Sequence, residues 1–168
     1  IKKNPLYNGE IKMLSKIISN NKFQIKSVTC DFFMQKPFFK EKLINKKKKC
    51  LDDIYQVIKN CNKLKFKYLI LPLVDNSSIL NLRQERELIQ TIKKEIFPKL
   101  KKLKILFEID YKPNKVLSFI KKFNSKKVGI NYDTGNSASL NYNIKDEMKY
   151  FKYVKNIHIK DRKKFGTT

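Results

Sequence analysis

Glu108, Asp133 and His158 are separated by two equal intervals of 25 residues. Each closes a short apolar run: Leu106-Phe107-Glu108-Ile109-Asp110, Asn131-Tyr132-Asp133 and Asn156-Ile157-His158-Ile159. Two carboxylates and a neutral imidazole form a donor set that suits Mn²⁺, Mg²⁺, Co²⁺ or Zn²⁺ and leaves positions open for two vicinal substrate oxygens. Taken singly, Glu108 and Asp133 read as ordinary strand-end carboxylates and His158 as a satisfied core histidine. His158 is, however, the single histidine of the chain. An interval repeated twice is what equivalent positions on neighbouring strands of a βα repeat produce.

The elements that must position these side chains follow from hydrophobic periodicity. Strands are predicted at Gln24–Thr29, Lys67–Val74, Lys104–Ile109, Val128–Tyr132 and Lys155–Ile159. Helical faces lie between them: Ile11, Leu14, Ile17 and Ile18; Leu51, Ile54, Ile58 and Cys61; Leu88, Ile92 and Ile96; Val116, Phe119 and Ile120. Asn143 is placed to cap a short helix through Tyr150. Runs such as Tyr68-Leu69-Ile70-Leu71 are apolar on both faces, as parallel strands covered by helices must be. No Gly-rich phosphate fingerprint follows the first strand, which favours a TIM barrel over a dinucleotide-binding sheet. The expected fold is thus α/β, a partial (β/α)8 TIM barrel with about five βα units, in one incomplete domain over residues 1–168. In a TIM barrel the strands' C-terminal ends carry the chemistry, which is where Glu108, Asp133 and His158 fall.

Composition narrows the function classes. The net charge of +24 invites a nucleic-acid reading. Yet only Arg83, Arg86 and Arg162 are arginines, so the bidentate fork that reads guanine is scarce. Lys, Asn, Ile, Phe and Tyr are enriched together, as an AT-rich coding sequence would produce. The lysines are therefore expected to be scattered over outer helices rather than gathered in a groove. Lys46 to Lys49 form the one dense run, read as a solvated helix start. Cys30, Cys50 and Cys61 lack CxxC spacing and a nearby histidine and read as reduced thiols. No apolar run is long enough to span a bilayer and no signal peptide opens the chain, so the expectation is a cytoplasmic protein with no membrane partner and no specific nucleic acid.

Val128-Gly129-Ile130-Asn131-Tyr132-Asp133-Thr134-Gly135-Asn136-Ser137, followed by Asn156-Ile157-His158-Ile159-Lys160-Asp161-Arg162, resembles the paired motifs of the sugar phosphate isomerase/epimerase family. Further similarity lies in Asn4-Pro5-Leu6, in the segment from Ser27 to Met34 and in that from Leu71 to Ser78. The resemblance implies a xylose-isomerase-like TIM barrel whose metal is held by Glu, Asp, His and a second Glu on consecutive strands, the first three being Glu108, Asp133 and His158. It implies isomerisation or epimerisation of a sugar or sugar phosphate through a metal-stabilised enediolate, with Mn²⁺ the foremost ion. Glu108 would then be one of two carboxylates that move the proton. Asn136, Lys160 and Arg162 would contact substrate, Ser137 would hydrogen-bond sugar hydroxyls, and Asp161 would orient Lys160 or cap the next helix. Cys30 and Asp31 either line the pocket or pack. Asn136 stands where several ketose 3-epimerases have a histidine, so that specificity does not carry over.

Two alternatives stay open at this stage: an endonuclease IV-type DNA-repair enzyme on the same superfold, whose three-zinc site needs more than one histidine, and an inactive barrel fragment. The chain opens on Ile1 and stops at Gly166-Thr167-Thr168. Since a barrel takes eight strands, the intact protein is expected to continue past Thr168 for roughly one to three βα units. A glutamate should end its next strand, and the full-length protein could form homo-oligomers.

Overall fold

The computed structural model describes Leu6 and residues 10–165. Asn4-Pro5, Ile1 and the final three residues lie outside that range. Five parallel strands pair in sequence order, β1 (Ser27–Thr29), β2 (Tyr68–Leu73), β3 (Lys104–Ile109), β4 (Val128–Asp133) and β5 (Val154–His158). The helices are α1 (Ile11–Asn20), α2 (Phe32–Gln35), α3 (Ile44–Lys63), α4 (Leu82–Thr91), α5 (Pro113–Lys121), α6 (Thr134–Ser139) and α7 (Ile144–Glu147). This is the expected α/β partial barrel. The strand positions agree with the periodicity reading to within a residue or two except at β1. There the Lys26 carbonyl accepts from both Lys67 N and Tyr68 N, which ends the regular ladder, so residues 24–26 are not strand.

Alternation along the strands separates two layers. Leu69, Leu71, Leu73, Ile105 and Phe107 join the core shared with α3, α4 and α5. Ile70 and Leu106 are also fully buried but stand outside that cluster, on the concave side of the sheet. Phe107 anchors the helix side, its ring 5.3 Å from Phe119 and 5.2 Å from Phe123. Cys30, Cys50 and Cys61 are free and buried within the same core. Burial pushes the Cys61 thiol up to about 12. It likewise holds Cys30 well above its ordinary value, so both pack as small hydrophobes and stay unreactive.

Two features were not legible in the periodicity. After β1, α2 and a short 3-10 turn fold Phe33, Phe38 and Phe39 into a buried triad with centroids 5.7–6.0 Å apart. The segment after Asp133, between two strands and without an apolar helical face, is helix α6, which the Asp133 side chain caps. Asn143 does cap the next helix, accepting from Lys145 N at 2.9 Å. The Lys46–Lys49 run lies in the first turns of α3, mostly exposed.

The lysines only partly follow the expected scatter: five of them, Lys65, Lys67, Lys101, Lys102 and Lys104, line one cleft. That cleft lies at the strands' N-terminal rim. No described helix is long and apolar enough to cross a membrane.

Gly129 lets β5 and the chain before it approach the concave face. A Cβ there would stand 2.9 Å from the Tyr153 carbonyl oxygen and 2.9 Å from Leu106 Cδ2. Backbone cannot yield as a side-chain tip can. Gly129→Ala is expected to destabilise the fold by about 1–3 kcal/mol, measured by urea unfolding. An unchanged midpoint would mean that β4 and β5 are not this close.

Candidate active site

The three strand-end residues meet on the concave face at the C-terminal rim. One ligand atom from each of Glu108, Asp133 and His158 lies within 4.8 Å of the others. His158 Nδ1 is 3.2 Å from Glu108 Oε2 and 3.7 Å from Asp133 Oδ2. The sheet register explains the meeting. Asp133 pairs with His158 and Asn131 with Asn156, after an irregularity at the Ile130–Asn131 step that takes up one extra residue of β5. Without that bulge Asp133 would face Ile157, whose side chain points to the other side of the strand.

Asp133 uses its two oxygens differently. Oδ1 accepts from the Asn136 amide at 2.9 Å and caps α6. This fixes the carboxylate so that Oδ2 faces Glu108 and His158. Lys160 Nζ approaches Oδ2 to 2.8 Å, yet outside hydrogen-bonding geometry, so this buried oxygen has charge compensation without a directed donor.

Glu108 is held at both oxygens. Asn131 Nδ2 donates to Oε2 and Asn136 Nδ2 to Oε1, each at 2.9 Å. Asn131, buried at 2 % exposure, also places Nδ2 3.1 Å from His158 Nδ1 and accepts from Asn156 at 2.7 Å. It therefore sits at the centre of the site and ties three strands together. Sequence reasoning passed over it, although it lies two residues before Asp133, and a strand's period of two puts both on one face.

The remaining candidates divide. Asn136 reaches the cleft wall, but its amide is engaged at both ends, accepting from Arg162 Nη1 at 3.0 Å while holding Glu108. Lys160 and Arg162 both line the cleft, and Arg162 Nε is buried without an acceptor among the described residues. Thr134 braces this loop, its Oγ1 donating to the Lys160 carbonyl and accepting from the Lys160 amide, both at 2.9 Å. The Lys160 ammonium goes to Asp133, not to Asp161. Asp31 borders the cleft, whereas Cys30 is buried in the core. Ser137 turns away from the cleft: its Oγ donates to Glu147 at 2.7 Å, within a buried group that includes Tyr132 and Tyr150. That group surrounds a cavity of about 20 Å³, the size of one water. The cleft at the C-terminal rim measures about 570 Å³ and is reached by Glu108 and His158.

Burial, followed by the charge of Asp133, pushes Glu108 above the usual carboxylate range. Burial also pushes Asp133 up, but Lys160, the Asn136 amide and His158 together outweigh it and hold Asp133 below its ordinary value. Neighbouring carboxylates are thus driven apart, one toward the acid and one toward the anion.

No family model matches this chain, and no curated protein matches it in sequence. Solved structures do match in fold. A xylose isomerase domain protein from Planctomyces limnophilus superposes with a TM-score of 0.71 at 12% identity, over 89% of this chain and 58% of that one. A 3-keto-D-glucoside 4-epimerase from E. coli gives 0.73 at 11% identity, over 93% and 65%. A xylose isomerase-like TIM barrel protein from Mycobacterium smegmatis, in complex with magnesium, gives 0.69 at 14% identity, over 92% and 56%. This chain therefore has the xylose-isomerase-like TIM-barrel fold. The chain spans 56–65% of the length of these neighbours.

The opposed shifts have opposite linkage. Glu108 is raised, so its stabilising contribution falls as pH rises from the ordinary value of about 4.3 through the raised one. Asp133 is lowered, so its contribution is present above about 3.9 and lost as pH falls through the lowered value. Lys160→Met removes a cation acting on both. It is expected to raise both midpoints, read by ¹³C titration of the side-chain carboxyls. Midpoints that do not move would take Lys160 out of the site's electrostatics.

Proposed function

We propose that this chain carries the metal-binding half-site of a divalent-metal-dependent sugar or sugar-phosphate isomerase/epimerase. The observation that carries this reading is the convergence of Glu108, Asp133 and His158, from three consecutive strands, on one point at the C-terminal rim. The donor set fits a divalent ion: two carboxylate oxygens and an imidazole nitrogen face one another, and Asp133 Oδ2 lacks a directed partner. Among the described residues no fourth donor joins them. The named epimerase among the fold neighbours and the magnesium bound by another support the reading.

When bound, the ion supplies Lewis acidity that polarises a sugar carbonyl and its neighbouring hydroxyl. The chain's residues would do the rest. Glu108, which reaches the cleft with both oxygens fixed, would take a proton from the carbon beside the carbonyl and give it back. Asn131 and Asn136 hold it in place while it does so. Asn136 and Arg162 form one wall, and Lys160 presents positive charge toward a developing oxyanion or a phosphate. Mn²⁺, Mg²⁺, Co²⁺ and Zn²⁺ all suit the donors.

The test is a Mn²⁺ titration by calorimetry together with solvent deuterium exchange at the α-carbon of ketoses and ketose phosphates, using the intact protein. Asp133→Asn and His158→Asn are expected to abolish measurable Mn²⁺ binding, and Asn131→Ala to weaken it by about 10- to 100-fold as a positioning change. Glu108→Gln is expected to slow exchange by about 10²–10⁴-fold. Mn²⁺ binding that ignores Asp133 and His158, or intact protein without exchange on any ketose, would overturn the assignment.

A further inference from the structure

The opposite rim of the sheet carries a cluster for which the chemistry proposed above has no use. A lysine precedes or opens four strands, Lys26 at β1, Lys67 at β2, Lys104 at β3 and Lys127 at β4. The backbone sets these side by side: Lys67 N donates to Lys26 O, Lys104 N to Lys67 O and Ile105 N to Lys127 O, each at 2.9 Å. Of these, Lys67 and Lys104 line one cleft from adjacent strands about 4.8 Å apart, while the Lys127 ammonium donates to the Phe97 carbonyl at 2.8 Å. The turns entering β2 and β3 add Lys65, Lys101 and Lys102.

Between them lies a cleft of about 660 Å³, whose walls include Lys65, Lys67, Lys101, Lys102, Lys104 and Tyr68. No carboxylate lines it. Elsewhere lysines find acids, as Lys47 does at Glu87 and Lys122 at Glu85. None of the five cleft lysines has a side-chain ion pair or hydrogen bond among the described residues. Uncompensated like charges in one concavity repel each other and focus a field that draws in anions. A lysine-rich composition accounts for the number of lysines, but not for their gathering in a concavity free of acid.

We infer that this rim cleft binds the backbone of a single-stranded nucleic acid, its lysines neutralising successive phosphates. Five cations gathered in one groove match a flexible phosphate chain. Half-buried Tyr68 supplies an aromatic surface for a base, as single-strand sites do. No arginine lines the cleft, so the bidentate guanidinium fork is missing and the lysines act chiefly as point charges on phosphates. Because the cleft lies at the far end of the strands from Glu108 and His158, this binding is independent of the active-site chemistry.

Fluorescence anisotropy with a labelled oligothymidylate, between about 50 and 200 mM salt, tests the inference; neutralising five phosphates predicts a log–log slope of about −3.5. The combined variant Lys65→Gln, Lys67→Gln, Lys102→Gln, Lys104→Gln is compared with Lys12→Gln, Lys16→Gln, Lys46→Gln, Lys48→Gln, which removes equal charge from exposed helix faces. The rim variant is expected to bind at least about tenfold more weakly with the slope reduced by about 3, and the helix variant to stay within about twofold. Acetylation footprinting of the unmodified protein gives a readout independent of mutation: the oligonucleotide should protect Lys65, Lys67, Lys102 and Lys104 but not Lys12 or Lys16. Equal losses in both variants, or uniform protection, would reduce the effect to bulk charge and overturn the site. Tighter binding of a duplex, or equal competition by inorganic polyphosphate at matched phosphate, would overturn the single-stranded occupant.

Discussion

The site depends on the divided use of one carboxylate. Asp133 gives Oδ1 to the first turn of α6, and that hydrogen bond fixes the plane of the group and aims Oδ2 across the concave face. Capping satisfies an otherwise orphaned amide, and the same act orients the second oxygen toward Glu108 and His158. Asn136 extends the coupling, since its amide N–H is the capped group while its side chain holds Glu108 and receives Arg162. The helix start, the two carboxylates and the cationic loop after β5 are therefore one hydrogen-bonded unit, and a shift in any member moves the others.

Beneath that unit the sheet register supplies the alignment. Asn131 and Asn156 form one inward rung and Asp133 and His158 the next, on strands re-phased by a single bulge. The polar rung at Asn131 and Asn156 would be costly in a barrel interior if its amides were unpaired; here they bond to each other, to Glu108 and toward His158. Below it the interior becomes apolar at Leu106 and Ile70 and bare at Gly129, where the chain leading to β5 presses close. The barrel thus grades from close-packed to polar along its axis, and the carboxylates stand where that gradient reaches the cleft.

The gradient has an electrostatic counterpart. At the C-terminal rim acids converge and call for a cation, Lys160 answering part of that demand. At the N-terminal rim lysines converge without acids. Parallel strands make such segregation possible, because every strand presents the same end to the same rim.

Much of this was legible in the residues alone. The run Tyr68-Leu69-Ile70-Leu71 is apolar on both faces, and such a strand must be parallel and covered; the equal spacing of Glu108, Asp133 and His158 is a property of βα repeats that survives folding unchanged. Those features are local in sequence or periodic, so they can be read without coordinates. What the tertiary structure decided was non-local. Asn131 becomes the centre of the site because strands before and after it supply Glu108, His158 and Asn156. Ser137 faces Glu147 and not the cleft because Asp133 starts a helix there, whose turn carries the side chain away. Lys67 and Lys104, far apart in sequence, line one cleft only because backbone pairing brings their strands side by side. Composition set how many charges the chain carries; the parallel register determined which of them meet.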